Sequence, residues 1–279
     1  MRLILIASDA RSAAIADRCG VDVIMVDLEI MGKEARQGHL DTVISRHGPD
    51  DIAIVRAACQ RAQVLVRINP LHSGSLEEIN QAIALGADEI MLPMATTPGE
   101  ASAFAALVAG RARTVFLLET VAAMARASEI ARVPGIDRIH VGFNDLHLQA
   151  GLTFMFELLS GGLIDHLAAL FKEAGMPFGF GGVARVGMGT ISAEMILAEH
   201  VRLGSSQVIL SRDFRRCFQA EELEGDEERF GGEIQRLRQL QSELSSVDAE
   251  ALLQRRDAFR DQVRSLHPSI YSLTPYPVE

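Results

Sequence analysis

TVFLLETVAAMARASEIARVPGIDRIHVGFNDLHLQAG, residues 114–151, decides how this chain reads. Its first apolar run ends on Glu119, and the second, DRIHVGFNDL, ends on Asp145. Runs this apolar, without a polar residue at every second place, fit parallel strands buried on both faces. The residues between them, 120–132, suit a helix, so two carboxylates arrive at the same rim of one sheet. Oxygen donors so placed suit Mg²⁺ or Mn²⁺, with positions left for water or substrate. The alternative is that Glu119 caps the next helix and Asp145 bonds within its own loop.

The same pattern extends in both directions. Strand candidates are Arg2–Ser8, Val21–Asp27, Gln63–Ile68, Glu89–Pro93, Thr114–Glu119, Asp137–Gly142, Pro177–Gly181 and Gln207–Ser211. Helical segments fall between them, among them SLEEINQAIALGAD, where Ser75 caps, Glu78 completes a capping box and Gly86 stops the helix. Eight strands alternating with helices predict a (β/α)₈ TIM barrel over residues 1–218. An open doubly wound sheet is the runner-up, weakened because no GxGxxG loop follows the first strand. Asp27, Glu29, Arg67, Asn69, Glu119, Asn144 and Asp145 all follow strand C-termini, where barrel sites are built. Residues 219–279 form a charged extension with Ile234, Leu237, Leu240 and Leu244 at helical spacing. That stripe packs either on its own barrel or on another subunit.

Composition narrows the function. A net charge of −10 and the lack of any basic, aromatic-rich cluster argue against nucleic acid. No apolar stretch approaches bilayer length, and the run in MRLILIAS is too short for a signal-peptide core. Three widely spaced cysteines suggest neither a disulfide framework nor a zinc site, and point to a cytoplasmic location.

In order, VDLE at 26–29, VRINP at 66–70, LGADEIMLPM at 85–94, LLET at 117–120 and VGFNDLHLQAG at 141–151 resemble the HpcH/HpaI aldolase/citrate lyase family. The resemblance covers about residues 1–215. It implies a (β/α)₈ barrel, often with a C-terminal helix exchanged between subunits, hence a homo-oligomer. It also implies metal-dependent carbon–carbon lyase or synthase chemistry through the enolate of pyruvate, oxaloacetate or an acyl-CoA. On this pattern Glu119 and Asp145 are the metal ligands and Arg67 the substrate arginine. Met94 belongs to a turn whose backbone borders the substrate, while Gly142 and Asn144 lie near the metal. A fixed guanidinium suits a 2-oxo acid, since it can bind the carboxylate and offset enolate charge. The competing reading of Arg67 is a salt bridge to Asp27 or Glu29, which could instead orient it or hold waters.

Three departures stand out. Ile30 occupies the place where aldolases of this type carry an acid–base histidine, and their glycine-rich insertion before the Glu-bearing strand is missing. Met94 replaces the lysine of the citrate-lyase turn, which weakens a coenzyme A-dependent reading. In compensation, the loop MGKEARQGHLDTVISRHGPDD at 31–51 holds Lys33, Arg36, His39, Arg46 and His47. A long polar loop at this end of a barrel is usually functional. His39 or His47 could move the proton, and Arg46 could bind a substrate anion. Arg185 could likewise reach an anion, and His147 could support Asp145. The expected activity is a divalent-metal lyase, aldolase or citrate-synthase-like enzyme acting on a 2-oxo acid. A barrel that binds a small acid or partner protein without catalysis is the alternative.

Overall fold

A computed structural model describes residues 1–32, 47–218 and 225–266. Eight strands form a closed parallel barrel in sequence order, β1 neighbouring β8. They are β1 Arg2–Ile6, β2 Val23–Asp27, β3 Gln63–Arg67, β4 Glu89–Leu92, β5 Arg113–Leu118, β6 Arg138–Val141, β7 Phe178–Val183 and β8 Gln207–Leu210. The (β/α)₈ expectation holds, and the open sheet is excluded.

The unbroken apolar character of the strands has a two-sided cause. Ile4, Val23, Met25, Leu65, Met91, Val115 and Leu117 fill the lumen. Their neighbours, including Ile24, Val26, Val64, Val66, Phe116 and Leu118, pack outward under the helices. Side chains alternate along a strand, so lumen-facing Val23 and Met25 commit Asp27 to the lumen, and Leu65 commits Arg67. Asp27 and Arg67 are also register partners across β2 and β3. At the opposite end, Arg2 closes the barrel by pairing with Glu89 at 2.6 Å and donating to Gln63.

The helices that position the site have local causes. Helix α1 (Ala10–Arg18) is capped by Asp9, which accepts from the Ser12 amide. Helix α2 (Asp50–Ala58) follows the long loop, and α3 (Ser75–Ala84) corrects a sequence expectation. Gly74 stands at its cap, while the Ser75 hydroxyl accepts from the His72 amide. The Glu78 carboxylate accepts from both the backbone and the side-chain amide of Asn69, which outcompete the cap. Asn69 in turn accepts from the Ile30 and Met31 amides, so this chain of bonds fixes the turn after β2. The capping box occurs instead at Thr97 and Glu100, opening α4 (Pro98–Val108). The helix expected over 120–132 is divided into α5 (Val121–Ala125) and α6 (Ala127–Ile130), because Arg126 leaves the helical region at φ −113°, ψ 17°.

After β6 come α7 (Phe143–Gln149), α8 (Glu157–Ser160) and α9 (Leu163–Glu173); α10 (Ala193–Leu203) precedes β8. A 3₁₀ turn, Arg212–Phe218, follows β8. The final helices, α11 (Asp226–Ser245) and α12 (Ala249–Leu266), pack on the chain's own α1, α10 and 3₁₀ turn. Ile234, Leu237 and Leu244 are buried in that seam, and Arg238 ties α11 to Asp22 and to the Met1 carbonyl. The stripe therefore covers its own barrel. Among the described residues no helix is long and apolar enough to cross a membrane.

Candidate active site

A cavity of about 490 Å³ opens at the C-terminal rim of the barrel. Asp27, Arg67, Glu119, His140, Gly142, Asn144 and Asp145 all line it. Arg67 lies across β2: its Nε and Nη2 donate to the two Asp27 carboxylate oxygens at 2.8 Å each, and Nε stands 3.5 Å from Glu29. The salt bridge and the site position anticipated for Arg67 are thus both present. Asp27 and Glu29 are each 1 % exposed, so the guanidinium is held along one edge by buried acids. Burial alone would lower the Arg67 pKa, but Asp27, then Glu29 and Glu119, carry it above its ordinary value.

Glu119 sits one residue beyond β5 and accepts from the Met94 amide at 3.1 Å. Met94 adopts a left-handed φ of 59°, which turns its N–H to the carboxylate. Burial pushes the Glu119 pKa up to about 8; Arg67 and the Met94 amide oppose the rise, while Glu29 and Asp145 add to it. Gly142 makes room for this carboxylate. A Cβ there would stand 2.9 Å from the Glu119 Cβ and 3.0 Å from its Oε2. Asp145 is buried in the first turn of α7 rather than on an extended strand end.

Three carboxylates (Asp27, Glu29 and Glu119) therefore act on one guanidinium, and Asp145 adds a further negative charge near Glu119. This surplus of buried negative charge, and the hard oxygens of Glu119 and Asp145, fit a divalent cation. Among the described residues, no three of His, Cys, Asp and Glu gather to hold an ion by themselves. Two protein carboxylates with the remaining positions left to water and substrate is the pattern Mg²⁺ favours.

The remaining expectations divide. Asn144 lines the cavity from an exposed position. His47 lines a neighbouring cavity of about 250 Å³, where its Nδ1 accepts from the Asp27 amide at 3.0 Å. Lys33, Arg36, His39 and Arg46 lie outside the described residues. Arg185 does not line the cavity; its carboxylate neighbour is Glu233 on α11, at 3.7 Å. His147 bonds the Phe143 carbonyl of its own helix.

Sequence reasoning missed His140 and Arg215. Buried His140 faces the Gly181 carbonyl through Nε2 at 3.2 Å, which makes Nε2 the donor, and its Nδ1 has no partner among the described residues. Burial pushes its pKa down to about 4, with Gly181 opposing and Arg67 assisting. The signal was available: Ile139 and Val141 point outward, so His140 must point inward. Arg215 lines the cavity from the turn after β8, a usual source of anion contacts in barrels.

Comparison with known proteins agrees with this architecture. The family model for HpcH/HpaI aldolase/citrate lyase matches residues 2–155. Comparison with curated protein sequences gave no match. Among solved structures, a HpcH/HpaI aldolase/citrate lyase family protein from Burkholderia cenocepacia J2315 is similar at 17 % identity and TM-score 0.60. That match covers 88 % of this chain and 95 % of the other. CitE from Mycobacterium tuberculosis, solved with magnesium and acetate, is similar at 15 % identity and TM-score 0.59, covering 91 % and 95 %. The citrate synthase SbnG is similar at 14 % identity and TM-score 0.56, covering 75 % and 85 %. At these identities the likeness speaks for the fold.

Proposed function

This chain belongs to the HpcH/HpaI aldolase/citrate lyase family, and from that premise we propose a divalent-metal-dependent carbon–carbon lyase or synthase working through the enolate of a 2-oxo acid. The observation that carries the reading is the convergence of Glu119, Asp145 and Arg67 on one cavity. Glu119 and Asp145 would hold Mg²⁺ or Mn²⁺, a reading supported by the magnesium present in the similar CitE structure. Such a cation supplies Lewis-acid polarisation of an oxo group when bound.

The chain's own residues do the rest. Arg67, gripped by Asp27 through Nε and Nη2, keeps Nη1 for the substrate carboxylate and offsets charge as the enolate forms. Asp27 and Glu29 are positioning residues, since they act through Arg67. The Met94 amide and the space at Gly142 hold Glu119 in one orientation. Phe143, Phe154 and Phe156 wall one side and exclude water. Enolate formation moves a proton from the carbon beside the oxo group to a base, leaving the electron pair delocalised onto oxygen. A histidine of the 31–51 loop, His39 or His47, would take that proton; His47 stands behind Asp27 and lines the neighbouring cavity.

The test is exchange of pyruvate methyl protons in D₂O, followed by NMR with Mg²⁺ or Mn²⁺. Metal-dependent exchange that disappears in Arg67→Gln and weakens in His39→Ala or His47→Ala is expected. Lack of exchange with pyruvate, oxaloacetate and longer 2-oxo acids, with metal present, would leave a small-acid-binding barrel.

A further inference from the structure

A second polar cluster closes the opposite, N-terminal end of the barrel. Arg2, Gln63, Glu89, Arg113, Arg138 and Gln207 stand two residues before Ile4, Leu65, Met91, Val115, His140 and Ile209, which face the lumen. Alternation therefore turns all six inward. The strand registers stack them in layers drawn from alternate strands. Glu89, Arg138 and Gln207 share one layer with Val23, beneath Ile4, Leu65, Val115 and Gly179. Arg2, Gln63 and Arg113 form the mouth below. Gly179 lets Gln207 lie across this floor, since a Cβ there would stand 2.4 Å from the Gln207 Cγ.

The charges do not balance. Glu89 is taken by Arg2 at 2.6 Å, and Arg2 also donates to Gln63. The side chains of Arg138 and Arg113 have no hydrogen bond or ion pair among the described residues. The other acids at this end are engaged: Asp137 accepts from the Thr114 amide and hydroxyl, and Asp88 pairs with Arg56. Half-buried Arg138 keeps its Nε away from solvent without an acceptor, and Gln207, 1 % exposed, does the same with its Nε2. Burial, then Arg2 and Arg113, lower the Arg138 pKa against the pull of Glu89 and Asp137. Buried donors without acceptors are rare and costly, and more so beside uncompensated positive charge. We propose that this mouth binds an inorganic oxyanion of the phosphate class, held by Arg138 and Arg113 with the Gln207 amide beneath it. Oxygens on several sides of one ion can accept from two guanidinium edges and an amide together. The apolar lumen layers separate this site from the Glu119–Asp145 rim, so its effect is on the stability of the closed barrel and is independent of the enolate reading.

The experiment is thermal melting of the full chain in sodium phosphate and in sodium chloride at matched ionic strength, with a chelator present. Chloride gives the general salt effect. At about ten times its dissociation constant, phosphate should raise the midpoint by about 3 °C beyond chloride. Apparent phosphate affinity should fall tenfold or more in Arg138→Gln and about threefold or more in Arg113→Gln, whose position is exposed. Arg138→Gln removes an unpaired cation, so without phosphate it should melt no lower than the unmodified protein. Arg215→Gln, in the rim cavity, should keep the full response, which separates phosphate at the floor from phosphate at the rim. Equal midpoints in phosphate and chloride for the unmodified protein overturn the proposal without any variant. So does a response that survives undiminished in both Arg138→Gln and Arg113→Gln, or one that vanishes in Arg215→Gln.

Discussion

Replacing Glu119 with Gln should make the metal-free protein more stable, and the gain should grow with pH. Glu119 is 3 % exposed, and burial, reinforced by Glu29 and Asp145, holds its pKa near 8 against an ordinary 4.5. The folded-state pKa is raised, so the folded protein keeps a proton that the unfolded chain releases above pH 4.5. Stability therefore falls as pH climbs from about 4.5 to about 8, and levels off beyond. At about 1.4 kcal/mol per pH unit, ionising Glu119 in the fold costs up to about 5 kcal/mol. Gln fills the same space without that cost. The two proteins should melt alike near pH 5 and separate by roughly 10 °C at pH 8.5, with a chelator present throughout. Adding Mg²⁺ to about a hundred times its dissociation constant should then raise the native protein by about 2.7 kcal/mol and leave the variant unchanged. A gap that does not widen between pH 5 and 8.5, or a variant less stable at the higher pH, would refute the assignment of Glu119 as a strained, cation-seeking carboxylate.

Gly142→Ala should place a methyl group 2.9 Å from the Glu119 Cβ, destabilise the fold by about 1–3 kcal/mol and weaken calorimetric Mg²⁺ binding tenfold or more. Asp27→Asn breaks the buried, two-bonded partner of Arg67, and thermal melting should report a loss of about 3–5 kcal/mol. In the same variant, KM for the 2-oxo acid should rise more than kcat falls, because a loosened Arg67 loses ground-state grip. Phe259→Ala on α12 empties a fully buried position and should cost about 3–5 kcal/mol by urea unfolding. A loss below 1 kcal/mol there would mean that α12 does not share the barrel's cooperative unit.

Why the fold was legible is clear from the strands. Residues 23–26 and 115–118 are apolar at successive positions because one parity faces the lumen and the other faces the helices. That double burial gives parallel strands their unbroken runs, and a closed barrel supplies it at every strand. The parity also carried the site: counting in twos from Met25 reaches Asp27, and from Leu117 reaches Glu119. Asp145 obeys another rule: the sequence reads it as the end of an apolar run, but it lies in the first turn of α7, where strand alternation does not set its direction.

What stayed hidden in the sequence were choices among rival hydrogen-bond partners. Ser75 and Glu78 have the spacing of a capping box, yet Glu78 serves Asn69, whose own oxygen must hold the two amides of the turn after β2. An amide in the loop just before the helix outbids the local cap, and what commits that amide, the Ile30 and Met31 N–H groups after β2, lies outside any local window of sequence. Arg67 poses the same problem with a different outcome. Two readings, ion pair or substrate ligand, were set against each other, but a guanidinium has five donors in a planar fork and can satisfy both. Asp27 occupies two of them at 2.8 Å, which fixes the fork instead of using it up.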